Sequence, residues 1–284
     1  MRVITKSQLR PSPPPLFPSV DDANPVRGAD GRSRYRVSVR VILPPSETKS
    51  DGGNDAPLDL DSLVFGELTP IRRQIGEDLV ALAADLDASR IALGLGRTQL
   101  AEIDRNAELW ISPTRPAIER YTGVLYDAFD HGSLTRAGKT KTADRVLIGS
   151  ALFGVVGAND RIPAYRLSGG SKLPGRKTLA ARWKPALSSS LDALDDFVVD
   201  LRSGVYHQLG PVHDAVTATV VTERPDGTRS VVSHFNKHHK GLIARELVRT
   251  RRTVGDINTL AAVLSDAGQR IEIEGPDRIV VVTD

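Results

Sequence analysis

The 284-residue sequence contains no cysteine and one methionine, Met1. Without thiols there are no disulfides, no thiolate-held zinc and no iron–sulfur cluster, which fits the reducing cytoplasm expected for this chain. No apolar run approaches the roughly 18 residues of a membrane span, so no membrane role is expected. Prolines stand where a secretion signal needs its apolar core. Aromatic residues make up only 5%, too few for the base stacking that dedicated single-strand binders use. The acidic loop Asp51 to Asp61 has no calcium-loop register, and Leu93 to Gly96 lacks the third glycine of a dinucleotide fingerprint. Adjacent helical residues such as His238 and His239 point about 100° apart and seldom share a metal. His234 and His238 straddle a strand-to-helix change. No metal and no cofactor are therefore expected.

What charge there is lies unevenly. The net charge is +3, but residues 1–37 hold seven cations and three acids, so the remaining chain carries −1. Two blocks of that remainder are strongly basic. Arg145 to Lys184 has eight cations and one acid, and Ser233 to Arg252 has six cations and one acid. A basic surface on the body must come from this segregation.

Residues 1–34, with Pro-Ser-Pro-Pro-Pro at 11–15, bury too little apolar surface to order themselves and are predicted to be a disordered extension. Residues 35–284 are predicted to form one compact α+β domain with a mixed sheet flanked by helices and β-hairpins late in the chain. Val37 to Leu43 reads as a first buried strand. It ends in the polar run Ser46-Glu47-Thr48-Lys49, a frequent ligand position in open sheets. Leucines and isoleucines spaced 3 and 4 apart predict a helix over Thr69 to Asp87. Further helices are expected at Thr98 to Leu109, Ala117 to Phe129 and Thr178 to Leu194, with a basic loop at Ala137 to Thr142. Phe197 to Leu201 is a second buried strand, ending near Ser203 and Tyr206. Ala215 to Glu223 and Ser230 to Phe235 flank Pro225-Asp226-Gly227 as a hairpin. A helix follows from about Lys240, with Arg245, Arg249 and Arg252 on one face. A short helix, Asp256 to Ser265, and a closing hairpin, Arg270 to Val282, complete the pattern. The glycines Gly154 and Gly157, three apart with apolar residues between, read as the turn of a helix-hairpin-helix element, whose backbone N–H groups contact phosphate.

Several of these blocks together resemble the YaaA family of bacterial peroxide stress proteins. They are the apolar strand running to Pro45 and Lys49; Tyr121 to Tyr126; Ser150 to Val155 with Asp160 and Tyr165-Arg166-Leu167; Trp183; Leu201, Ser203 and Tyr206; and Lys237, Lys240, Gly241, Leu242 and Arg245. The likeness covers about Val39 to Arg252. Lys240 stands where relatives carry arginine, and Val156-Gly157-Ala158 stands where they carry a cation. The resemblance implies a compact fold with a positively charged cleft, a helix-hairpin-helix-like element, binding of double-stranded or branched DNA, and a part in limiting oxidative damage. It attaches no reaction to the family.

Three functions are weighed on this footing. The leading one is a DNA-binding protein of the oxidative stress response, contacting backbone phosphates without sequence specificity. Its expected anion-binding residues are Lys49, Tyr165, Arg166, Ser203, Lys237, Lys240, Gly241 and Arg245, with Gly154 and Gly157 in the hairpin. The alternative is a glycosylase- or lyase-like enzyme acting on a nucleobase or nucleotide in the same cleft, since a lysine near a carboxylate and hydroxyls serves acid–base or Schiff-base chemistry. Iron sequestration is the weakest. Tyr126 and Trp183 are expected in the core, and Asp160 as a turn cap.

Overall fold

In the computed structural model, residues 38–283 are described except Ser203 and Val232. The predicted extension, residues 1–34, lies outside the described residues.

The chain runs β1 (Val39–Leu43), β2 (Asp55–Pro57), α1 (Thr69–Ala83), α2 (Leu86–Leu93), α3 (Ala101–Ala107), β3 (Pro113–Pro116), α4 (Ala117–Arg120), α5 (Val124–Phe129) and α6 (Arg136–Arg145). It continues with β4 (Val146–Ser150), β5 (Gly154–Gly157), β6 (Arg161–Ile162), α7 (Leu179–Asp192), β7 (Phe197–Asp200), α8 (Val205–Gln208) and β8 (Val216–Glu223). The last elements are β9 (Arg229–Ser230), α9 (Ser233–Arg249), α10 (Ile257–Asp266), β10 (Arg270–Ile273) and β11 (Arg278–Thr283).

The main sheet has the order β10-β11-β8-β7-β1-β4-β5, with β9 paired to β8 off that path. Its five central strands are parallel and its two edges antiparallel. It is thus the expected mixed sheet, flanked by helices. Buried on both faces, β1 reads as a nearly continuous apolar run, as central parallel strands do. From β1 the chain goes first to its neighbour β4 and later returns to β7 on the other side. That reversal opens a crevice beyond the carboxyl ends of β1 and β7, where open parallel sheets bind ligands. A small antiparallel sheet, β2-β3-β6, lies apart from it.

Several local expectations shift, each for a visible reason. The long first helix ends at Ala83, because Asp85 accepts from the Ala88 N–H and caps a new helix, α2. The helix expected over Ala117 to Phe129 breaks at Tyr121, where Lys49 forms a β-bridge to Tyr121 and the Thr122 N–H donates to the Thr48 carbonyl. The basic stretch at Ala137 to Thr142 is helical in α6, capped by Thr135 and tied to α9 and the residue after it through Arg145 on the Leu247 carbonyl and Lys141 on the Thr250 carbonyl. After the turn, Arg229 and Ser230 pair with β8 as β9, and helix α9 begins at Ser233, not Lys240. Val231 is 61% exposed, so no packing rewards a longer strand there.

The helix-hairpin-helix reading of Gly154 and Gly157 is corrected. Both glycines belong to the fully buried strand β5, hydrogen-bonded to β4 in a β-hairpin. Gly154 has φ +73°, and a Cβ there would come 2.9 Å from the Trp183 ring. Gly154 is required by a tryptophan packed on backbone, and the Gly157 N–H donates to the Asp160 carboxylate at 2.9 Å. Trp183 is wholly buried, as expected, and donates from its indole to the Ala151 carbonyl at 2.9 Å.

Candidate functional site

The loop that leaves β1 builds the site. Its backbone is fixed by the bridge at Tyr121 and by the Ser50 N–H on the Arg120 carbonyl. Gly123 (φ +99°) lets the chain turn beneath Ser46 and Thr48. Within this loop Lys49 turns inward and is 9% exposed. Its Nζ donates to the Ser46 and Glu47 carbonyls at 3.2 and 3.5 Å and lies 4.3 Å from the centre of the Tyr165 ring. Burial disfavours its charge and lowers its pKa to about 8; Glu47 raises it and Arg166 lowers it further.

Behind Lys49 runs a buried row of hydroxyls. The Ser150 and Tyr165 oxygens are 2.7 Å apart, and those of Tyr165 and Tyr121 are 2.8 Å apart. Burial pushes Tyr121 up to about 12 and Tyr165 well above the ordinary phenol range, so both stay protonated as donors near neutrality. Tyr126 sits in the core, as expected, and donates to the Pro44 carbonyl.

In front of Lys49 stands a charged pair. Glu47 and Arg166 approach to 3.3 Å, and the Tyr206 hydroxyl donates to the other Glu47 oxygen at 3.1 Å. Arg166 is held by Asn106, whose amide clasps the Arg166 backbone N–H and C=O at 2.8 and 2.9 Å. Glu47 and Arg166 line a cleft of about 810 Å3. One wall is apolar, with Ala88, Ile91 and Leu93 of α2; the other is the loop carrying Ser168, Ser171 and Lys172. Lys49 is not in the cleft wall. It lies one layer behind, because the Glu47 carbonyl accepts from both Lys49 and Arg166.

The expected anion residues therefore divide. Lys49, Tyr165 and Arg166 meet at one place. Ser203 lies outside the described residues. Lys237 is exposed on α9. Lys240 is 4% exposed and donates to the Leu201 carbonyl at 2.8 Å, so it is corrected from a phosphate contact to a buried strut. Arg245 spans the Phe129 and Asp130 carbonyls and the Ser133 hydroxyl at 2.7 to 2.8 Å, with the Asp130 carboxylate at 3.5 Å; it too is occupied within the fold. Gly241 is where α9 crosses α5: a Cβ there would press on the Leu125 carbonyl oxygen and lie 2.8 Å from Ala128 Cβ. Asp160 is more than a turn cap. Its carboxylate accepts from the Val64 and Gly157 N–H groups, and burial raises its pKa to about 6.

The apolar wall of the cleft escaped sequence reading. Its signal was present in Asp85, a helix cap, and in Ile91, which falls off the apolar stripe of α1 and is 84% exposed. The described residues include no group of three or more histidines and carboxylates placed to hold a metal, and no helix long and apolar enough to cross a membrane.

The family model described as "Peroxide stress protein YaaA" matches residues 39–270. A UPF0246 protein of Corynebacterium efficiens is 49% identical over 237 residues, covering 82% of this chain and 94% of that protein. One from Corynebacterium glutamicum is 45% identical, covering 86% and 98%, and one from Streptomyces coelicolor is 42% identical, covering 83% and 93%.

Proposed function

The chain belongs to the YaaA family of peroxide stress proteins, and from that premise we propose that it binds DNA through the cleft beside Glu47 and Arg166. The observation that carries this reading is the two-sided lining. Arg166, Lys172, Ser168 and Ser171 suit a phosphate, while Ala88, Ile91 and Leu93 suit the flat apolar face of a sugar or base. Phosphate contact is thereby moved from Lys240 and Arg245 to the cleft rim. The binding is electrostatic and independent of sequence, as a body with few aromatic residues favours.

Duplex DNA binding, measured by fluorescence anisotropy from low to high salt, tests it. Wild-type affinity falls linearly with log salt, and the double variant Arg166→Ala, Lys172→Ala loses about two units of that slope, roughly one per phosphate contact. A slope unchanged in the double variant, or no binding at low salt, removes the reading. The alternative, an enzyme acting on a nucleobase or nucleotide in the same cleft, is favoured by one observation: the buried, loosely held amine of Lys49 directly behind the charged pair.

A further inference from the structure

A lysine that serves only as a strut closes a short bond. Lys240 does so, at 2.8 Å from a carbonyl. Lys49 does not. It has three donors, and its two bonds, at 3.2 and 3.5 Å, are long beside the 2.7 to 2.9 Å of a charge-assisted bond. No carboxylate is hydrogen-bonded to it: the nearby Glu47 side chain is engaged by Arg166 and Tyr206. The aromatic faces of Tyr165 and Tyr121, at 4.3 and 5.4 Å, shield the amine from water on one side. On the other side, the Glu47–Arg166 pair separates it from a cleft equipped for a phosphate and an apolar ring. Arg166 is the member of that pair for which an anionic ligand would compete.

From this geometry we propose that Lys49 is a Schiff-base nucleophile and that its substrate is the aldehyde of a phosphorylated deoxy sugar, as at an abasic site in DNA. The neutral amine adds to the aldehyde carbon, and the resulting carbinolamine loses water to give an iminium. The iminium acidifies the hydrogen on the adjacent carbon. Glu47, with its carboxylate in the cleft wall, takes that proton; the electron pair forms a double bond, and the phosphate one carbon further leaves with its C–O electrons. Water then hydrolyses the imine and regenerates Lys49. The net change is elimination of phosphate, with one water released and one consumed. Arg166 and Lys172 hold the phosphates, and the wall of α2 receives the sugar. Burial makes the neutral amine accessible, since the Lys49 pKa falls to about 8.

The inference uses the same cleft as the proposed DNA binding, and two probes separate their fates. The full chain is incubated with a labelled abasic duplex, or with deoxyribose 5-phosphate, in the presence of sodium cyanoborohydride, which reduces the imine to a stable secondary amine. The expected result is a covalent adduct mapped by mass spectrometry to Lys49, absent in Lys49→Met. Glu47→Gln is expected to retain the adduct while strand cleavage falls by about 100-fold or more. An adduct on another lysine, or no adduct with either probe, overturns the inference. The mapping is done on wild-type protein and stands even if Lys49→Met folds poorly. Salt-sensitive duplex binding without an adduct leaves the proposed function and removes this inference. An adduct with deoxyribose 5-phosphate but no duplex binding does the reverse.

Discussion

Lys49 and Lys240 are both buried, both bonded only to backbone carbonyls, and both lowered to a pKa of about 8 by burial. They nevertheless do different work. Lys240, on α9, reaches across to Leu201 just beyond β7 and closes a short bond within the core. Lys49, in the loop after β1, makes two long bonds and backs onto a cleft. The same contrast holds between their regions. On α9, Gly241 and Arg245 are consumed by packing on α5 and the turn after it. Around the loop after β1, polar groups from three distant segments, at Tyr121, Tyr165-Arg166 and Tyr206, meet beside a cleft. Burial and a shifted pKa do not by themselves mark a site; what separates the two lysines is the space they face.

That contrast is open to direct test, beginning where the effect is largest. Gly241→Val forces side-chain atoms into the Leu125 backbone, where neither helix can yield cheaply. A loss of about 3 kcal/mol or more is expected from overpacking, read by urea unfolding; a change within about 0.5 kcal/mol, the range of neutral surface positions, denies the tight crossing. Lys240→Ala leaves the Leu201 carbonyl without its donor and costs about 1–3 kcal/mol. At matched folded fraction it leaves the salt slope of DNA binding unchanged. A lower slope would instead return Lys240 to the phosphate-contacting set and erase the distinction from Lys49.

The last test reads pH dependence. Between the ordinary lysine value of 10.5 and the folded value of about 8, the unfolded chain holds protons that the folded chain has released. Stability therefore rises with pH across that window and falls as pH drops through it. Lys49→Met and Lys240→Met each remove part of the rise, and a slope unchanged in both would mean that neither amine is desolvated. Asp160 gives the opposite sign: its carboxyl is raised from 3.8 to about 6, so stability falls as pH climbs between those values.

Much of the fold is legible in local sequence. The apolar run of β1, the leucine spacing of α1, the helix expected from Thr178 and the turn at Pro225 to Gly227 mark elements that the structure contains. These signals work because periodicity and capping act over a few residues. Two of the misreadings fall where a distant partner intervenes. The helix break at Tyr121 depends on the loop after β1, some seventy residues earlier. Gly154 and Gly157 show the same limit: the spacing suited a phosphate-binding turn, and only the Trp183 ring packed on Gly154 and the pairing with β4 reveal a core strand.

The basic blocks teach the same lesson about the site. By itself the sequence determined that the charge is segregated, that a polar run ends the first buried strand, and that the chain carries the blocks of its family. It also identified Lys49, Tyr165 and Arg166 as candidates. It did not determine which charges are spent. In the first basic block Arg161 is met by Asp55, Arg166 by Glu47, and Arg176 and Arg182 both by Asp78. Each of those acids lies far away in the chain, so a local charge count registers only the cation. Only the tertiary structure, by bringing distant segments within hydrogen-bond reach, decided that Lys240 and Arg245 hold the fold together while Lys49 stands behind an open cleft. The physical reason is range: propensity and capping act along the chain, whereas burial and ion pairing depend on what the fold brings alongside.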